Sequence, residues 1–334
     1  MKNQTPLPRF FLRSLVAAVL MGAVITPITA VAVPDNLYVS ANQGRSIFEY
    51  TPAGTQSTFA VVNPQLPRGL AFDSNGNLFA ATNAISGTQG TVLKFNPAGE
   101  QHTFGGAAPG FFQGVAVDST GNVFVMLEPP SGTPSTIFKF TASGTRSVFG
   151  SLPGQGFGLA FNSAGNLFAV DAASQTIFEY TPGGTRTTFI GPAAFGPESP
   201  AGQLAFDSAG NLFVSTITSD FTMGSILEFT PGGTESTFAT GLRSPRGVAF
   251  DSAGNLFVTE NVPNNGDILE FTPGGIETVF ANGLSNPQYL TFGPARGPAG
   301  PNLPDSGSTI AILSIALVAL ESARRRFAAA IPKL

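Results

Sequence analysis

Six polar side chains in this 334-residue sequence stand where they could grip one ligand together: Arg68, Gln113, Gln155, Gln203, Arg246 and Gln288. Each precedes a short apolar run such as Leu70-Ala71-Phe72 or Val248-Ala249-Phe250, and Gln155 comes two residues before Phe157. Arginine offers a planar fork of donors suited to carboxylate, phosphate or sulfate groups, and glutamine both donates and accepts. The plainer alternative is that these groups hydrate a channel or bond neighbouring loops. Two carboxylates, Asp171 and Glu260, end other apolar runs. They could begin a metal site or an acid–base pair, or form salt bridges to Arg246 or Arg68.

Composition narrows the chemistry. The sequence has no cysteine and one histidine, His102, so it has no disulfide framework, Cys-ligated metal or two-His metal site. His102 fills a slot held elsewhere by Ser57, Ser147, Thr187, Ser236 or Thr278, which places it on an outermost, exposed strand away from any channel. No Gly-x-Ser-x-Gly elbow occurs, and no helix follows the glycines around Gln155 to make a phosphate loop. No resident cofactor is expected.

The elements that must position these residues come from a repeat. Phe72-Asp73-Ser74-Asn75-Gly76-Asn77-Leu78-Phe79 recurs with centres at Asp118, Asn162, Asp207 and Asp251, at spacings of 45, 44, 45 and 44 residues. A second motif, Phe48-Glu49-Tyr50-Thr51-Pro52, returns at Phe95, Phe140, Tyr180, Phe229 and Phe271. Each unit reads as a short buried strand, an Asp/Asn-Gly turn, a second strand, a variable loop, a third strand, a Pro-Gly turn and an outer strand. Four short antiparallel strands in about 45 residues make a propeller blade. Residues 36–60 lack a first strand, and residues 288–292 supply one with nothing after it. Joined, they predict an all-β, six-bladed propeller closed by a composite blade from both chain ends. The turn aspartates read as turn formers rather than a calcium ladder, since Asn162 replaces one of them.

The repeat Pro-x-Gly-Leu-Ala-Phe-Asp…Gly-Asn-Leu-Phe resembles NHL-repeat propellers and the wider six-bladed group of senescence-marker/gluconolactonase-like enzymes and streptogramin lyases. In the gluconolactonase-like group, a Glu and an Asn ahead of first strands help hold a divalent cation. The matching positions here include Arg68 in Pro67-Arg68-Gly69 and Arg246 in Pro245-Arg246-Gly247. Two arginines at the rim disfavour a cation, and the catalytic His that a streptogramin lyase needs in its channel has no match. The resemblance therefore implies the fold more than an activity. The reading is a non-catalytic binding module for an anionic small molecule, an extracellular polysaccharide or a surface protein. The alternative is a metal-dependent lactonase-type hydrolase, for which Asp171 and Glu260 are weak metal candidates and a divalent cation the cofactor.

Both ends read as addresses. Lys2, Arg9 and Arg13, an apolar run to Ile28 and the small-x-small pair Ala30 and Ala32 make a secretory signal over residues 1–32. A propeller over 33–297 and a Gly/Pro linker over 298–303 precede a tail at 304–334. The tail reads Pro304-Asp305-Ser306-Gly307, an apolar stretch and Arg324-Arg325-Arg326. This order resembles PEP-CTERM sorting tails of the Val-Pro-Asp-Ser-Gly variety, with Leu303 in place of the Val. The resemblance implies an exosortase-type processing partner, transient membrane anchoring through the tail, and a place in the envelope or extracellular matrix. Without the ends, residues 33–304 hold nine Lys and Arg against 18 Asp and Glu, a net charge of −9. That charge disfavours nucleic acid.

Overall fold

The computed structural model describes residues 35–84, 89–130 and 134–295. The expected signal segment, the linker and the sorting tail lie outside these residues. The described residues form six four-stranded antiparallel sheets, the blades of a six-bladed β-propeller. Blade I joins β1 (Asn36–Ala41), β2 (Ser46–Tyr50) and β3 (Gln56–Val61) to the last strand, β24 (Pro287–Gly293). Blade II runs from β4 (Gln65–Phe72) and β5 (Leu78–Ala84) to β6 (Gln89–Phe95) and β7 (Gln101–Pro109). Blade III holds β8 (Phe111–Val117), β9 (Val123–Glu128), β10 (Ser135–Phe140) and β11 (Arg146–Leu152). Blade IV holds β12 (Gly156–Phe161), β13 (Leu167–Asp171), β14 (Thr176–Tyr180) and β15 (Arg186–Ile190). Blade V holds β16 (Ser199–Phe206), β17 (Leu212–Ile217), β18 (Met223–Phe229) and β19 (Glu235–Arg243). Blade VI holds β20 (Pro245–Phe250), β21 (Leu256–Glu260), β22 (Gly266–Phe271) and β23 (Glu277–Leu284).

The expected composite blade is present. β24 pairs antiparallel with β1, with Leu37 opposite Phe292 and Val39 opposite Leu290. The closing strand thus arrives from the far end of the chain and covers an edge that would otherwise expose unpaired backbone groups.

Between the blades sits much of the chain's abundant phenylalanine, 31 residues in all. In blade IV, Phe168 meets Phe189 of its own outer strand and Phe206 of blade V edge to face, at centroid distances of 5.1 and 5.0 Å. Phe213 repeats this with Phe238 and Phe250, and Phe257 with Phe280 and Phe292. Tyr38 takes the same slot against Phe59 and Phe72. At the II–III interface Val117 replaces the third ring and packs into the cluster around Phe79. Such pairs contribute about 0.5–1.5 kcal/mol beyond their burial, so each interface carries its own adhesive.

The turns at one end are local devices. The amides of Asn75 and Asn77 donate to Asp73 Oδ1 at 2.9 Å each, and Asn77 Nδ2 donates to Asp73 Oδ2. Asp118, Asp207 and Asp251 repeat the pattern. Asn162 accepts the two amides through its own Oδ1, while Asn166 Nδ2 turns to Glu179. The aspartates are turn formers, as the substitution at Asn162 suggested. His102 is exposed on outer strand β7.

Candidate functional site

The opposite end of the channel collects the polar residues singled out in the sequence. They were expected ahead of the first strands. Most lie within them, in irregular register: the pairing to the second strand shifts between Pro67 and Leu70, Phe112 and Val115, Gly156 and Leu159, Pro200 and Leu204, and Pro245 and Val248. A bulge re-aims the side chain inside it, and Arg68, Gln113, Phe157, Gln203 and Arg246 all fall within such shifts. Gln288 falls in the matching irregularity of the β1–β24 pair.

Glycine lets the inner strands crowd together behind this ring. A Cβ on Gly69 would stand 2.6 Å from the Gln113 carbonyl oxygen, and one on Gly247 2.8 Å from that of Gln288. Two blades break the rule. Aligned on Leu70, Leu204 and Leu290, the glycine slot of blade V holds Gln203 and that of blade I holds Tyr289. Gln203 is therefore not equivalent to Arg68. Its amide reaches two blades onward, Nε2 donating to the Leu290 carbonyl at 2.9 Å and Oε1 accepting from the Leu290 and Val248 amides. It pins inner strands rather than offering itself to a ligand.

The other glutamines also have partners. Gln113 and Gln155 donate to the two oxygens of Glu128, at 2.8 and 2.6 Å. Gln288 accepts from Arg68 Nη1 at 2.7 Å. Glu128, the last residue of β9, was not among the site residues expected from the sequence.

Asp171 and Glu260 contact neither Arg68 nor Arg246 among the described residues, which corrects the expected salt bridges. Asp171 is fully buried and accepts the Gly154 amide at 2.8 Å and the Ser174 amide at 3.2 Å. Glu260 accepts the Arg243 amide and Arg243 Nε, both at 2.7 Å. Arg243 also pairs with Asp267, and its carboxylate partners hold its pKa above the ordinary value. Both acids thus clamp the segment that crosses between blades over the end of a second strand. Asn83 of blade II instead ties to the first strand of blade III, through the Phe112 amide and carbonyl. Among the described residues, no three His, Cys, Asp or Glu side chains come together to hold a metal ion. With their oxygens already bonded to amides and a guanidinium, Asp171 and Glu260 do not fit a cation site.

Two arginines remain. Arg246 donates no hydrogen bond and forms no ion pair among the described residues, and its Nε is buried without a partner. Arg68 Nε is likewise buried and unpaired. Between them in the ring stands Tyr289, only 2% exposed, its hydroxyl unpartnered. Burial lowers the pKa of Arg68, with Arg246 acting the same way and Tyr289 and Glu128 opposing. Burial raises that of Tyr289, against the pull of both arginines. At the mouth the Nε atoms of both arginines are buried without partners, and Glu128 is the acid that acts on Arg68, in a body of net charge −9. The mouth can attract and orient an anion.

No family model matches the chain, and no curated protein matches it in sequence. Solved structures do. A streptogramin B lyase superposes with a TM-score of 0.53 at 16% identity, over 75% of this chain and 84% of that one. A gluconolactonase from Xanthomonas campestris gives 0.56 at 18% identity, over 67% and 79%. Regucalcin, a calcium-binding protein from Agrobacterium tumefaciens, gives 0.52 at 13%, over 65% and 75%. At these identities the likeness is one of fold: the chain is a six-bladed β-propeller with these proteins among its structural neighbours.

Proposed function

We propose that this propeller is an exported, envelope-held binding protein whose channel mouth takes an anionic ligand without transforming it. The observation that carries the reading is Arg246, a half-buried guanidinium with no acceptor among the described residues. A partly desolvated, uncompensated cation attracts an anion more strongly than an open surface would. The ligand is a small molecule, or an acidic group on an extracellular polysaccharide or surface protein. Export rests on the basic and apolar leader ending at Ala30 and Ala32. Envelope retention rests on Pro304-Asp305-Ser306-Gly307 and Arg324-Arg325-Arg326, which suit an exosortase-type partner. Intact-mass measurement of protein recovered outside the cytoplasm tests both: it should begin after Ala32, and an intact tail on freely secreted protein counts against sorting.

A second reading, a metal-dependent lactonase-type hydrolase, draws on the gluconolactonase and regucalcin neighbours. It would place a divalent ion near Asp171 and Glu260. Calorimetry on the purified protein separates the two. Acetate, sulfate and gluconate should bind and lose affinity in Arg246→Gln and Arg68→Gln. Stoichiometric Ca²⁺, Mg²⁺, Mn²⁺ or Zn²⁺ binding, lost in Asp171→Ala and Glu260→Ala, would replace the anion reading with the hydrolase. A bound anion at 100 times its Kd should also stabilise the fold by about 2.7 kcal/mol.

A further inference from the structure

Resting on the anion reading of the mouth, we infer that the ligand is a carboxylate carried on a single aromatic ring, held in a cleft between blades IV, V and VI. The cleft has a volume of about 170 Å³ and reaches from Phe157 and Ala173 across to Ile217 and Phe221, with Gln155 and Arg246 at its polar side. Its size matters. A dry cavity of roughly 150 Å³ in another protein accepts one benzene ring, so one ring fits here.

The walls select the chemistry. Phe157, Ile217 and Ala173 offer no hydrogen bonds, so a sugar ring laid against them would bury hydroxyls without partners, at about 1–3 kcal/mol each. The amide of Gln155 already donates to Glu128, and the Thr218 hydroxyl already donates to Asp220. Ser199 and Ser219, which also line the cleft, add to its polar side, and an aromatic ring asks no hydrogen bond of Phe157, Ile217 or Ala173. Its carboxylate would meet Arg246, whose guanidinium has no other acceptor among the described residues, and Arg–carboxylate pairing is strong and directional.

Phe221 is the independent sign of a built site. It is 65% exposed, the one aromatic side chain among the large exposed apolar residues described. Its backbone lies at φ 60°, a left-handed conformation that a bulky residue rarely adopts. The loop enforces it. The Phe221 amide donates to the Thr218 carbonyl at 2.9 Å, and Asp220 accepts from the Thr218 hydroxyl and the Thr222 amide. Strain held this way at a cleft edge points to use: the ring stands ready to stack on an incoming one.

Calorimetry at pH 7 with benzoate, acetate and benzamide tests the inference. Benzoate should bind at least tenfold more tightly than acetate or benzamide. Phe221→Ala should weaken benzoate at least tenfold and leave acetate unchanged; the residue is exposed, so the variant should fold. Arg246→Gln should remove both anions and leave benzamide unchanged. If benzoate and acetate bind alike, or Phe221→Ala has no effect on benzoate, the ring inference falls while the anion reading stands. If no anion binds, or Arg246→Gln binds like the parent, both fall.

Discussion

The two ends of the channel are made of the same repeats and behave differently. At the turn end, Asp73, Asp118, Asp207 and Asp251 each find their donors within four residues. At the mouth, partners come from far along the chain: Gln203 from Leu290, 87 residues on, and Arg68 from Gln288, 220 residues on. The turn end is a property of each blade alone. The mouth is a property of the closed ring, and there Arg68 and Arg246 each keep an Nε buried without a partner among the described residues. Local turns saturate their own hydrogen bonds, so they repeat. A surface assembled from six blades can keep one charge unspoken for, and that is where a ligand can act.

If the mouth depends on closure, opening the ring should disturb it most. Truncation after Asn286 removes β24, together with the acceptor of Arg68 and the anchor of Gln203. The cooperative thermal transition should vanish or fall by more than about 10 °C, given roughly 2–4 °C per kcal/mol in domains of this scale. A truncated protein that melts like the parent would show that the blades stand without closure.

The crossover clamps should come next. Glu260→Ala strands the Arg243 amide and unbalances a guanidinium shared with Asp267. Removing one partner of a buried pair costs about 3–5 kcal/mol; Arg243 is half exposed, so about 2–3 kcal/mol is expected by chemical denaturation. Asp171→Ala should approach this, since two amides lose their acceptor.

A turn aspartate should matter less. Hydrogen bonds from Asn122 and Thr120 hold the Asp118 pKa below the ordinary value, outweighing a desolvation that acts the other way. A depressed carboxylate stabilises above its unfolded pKa near 3.9, and that stability is lost as pH falls through the folded value. Asp118→Asn copies the turn at Asn162. It should lose about 1 kcal/mol or less at pH 7, and its melting temperature should fall less than the parent's between pH 5 and pH 2.5.

The smallest stability effect belongs to the ligand site. Arg246→Gln removes a charge with no partner that also disfavours protonated Arg68. Its melting temperature should equal or exceed the parent's without ligand. A clear loss would mean that Arg246 is structural and would narrow the contrast between the two ends.

The blade count, the composite closure and the turn chemistry were readable in the sequence, because each rests on a periodic or local pattern: the repeat of 44 to 45 residues for the blades, Asp-x-x-Gly-Asn for the turns, the missing first strand for closure. Aligning the six first strands on the Leu or Val at 70, 115, 159, 204, 248 and 290 would also have exposed Tyr289 and Gln203 in a glycine slot. Tertiary structure alone decided which polar groups satisfy each other. Glu260 takes Arg243 and not Arg246, Glu128 gathers Gln113 and Gln155, and Phe221 is turned outward over the cleft beside Arg246. Hydrogen bonds depend on placement to within a few tenths of an ångström, whereas the spacing of residues along a chain specifies only which strand, and which face of it, they occupy.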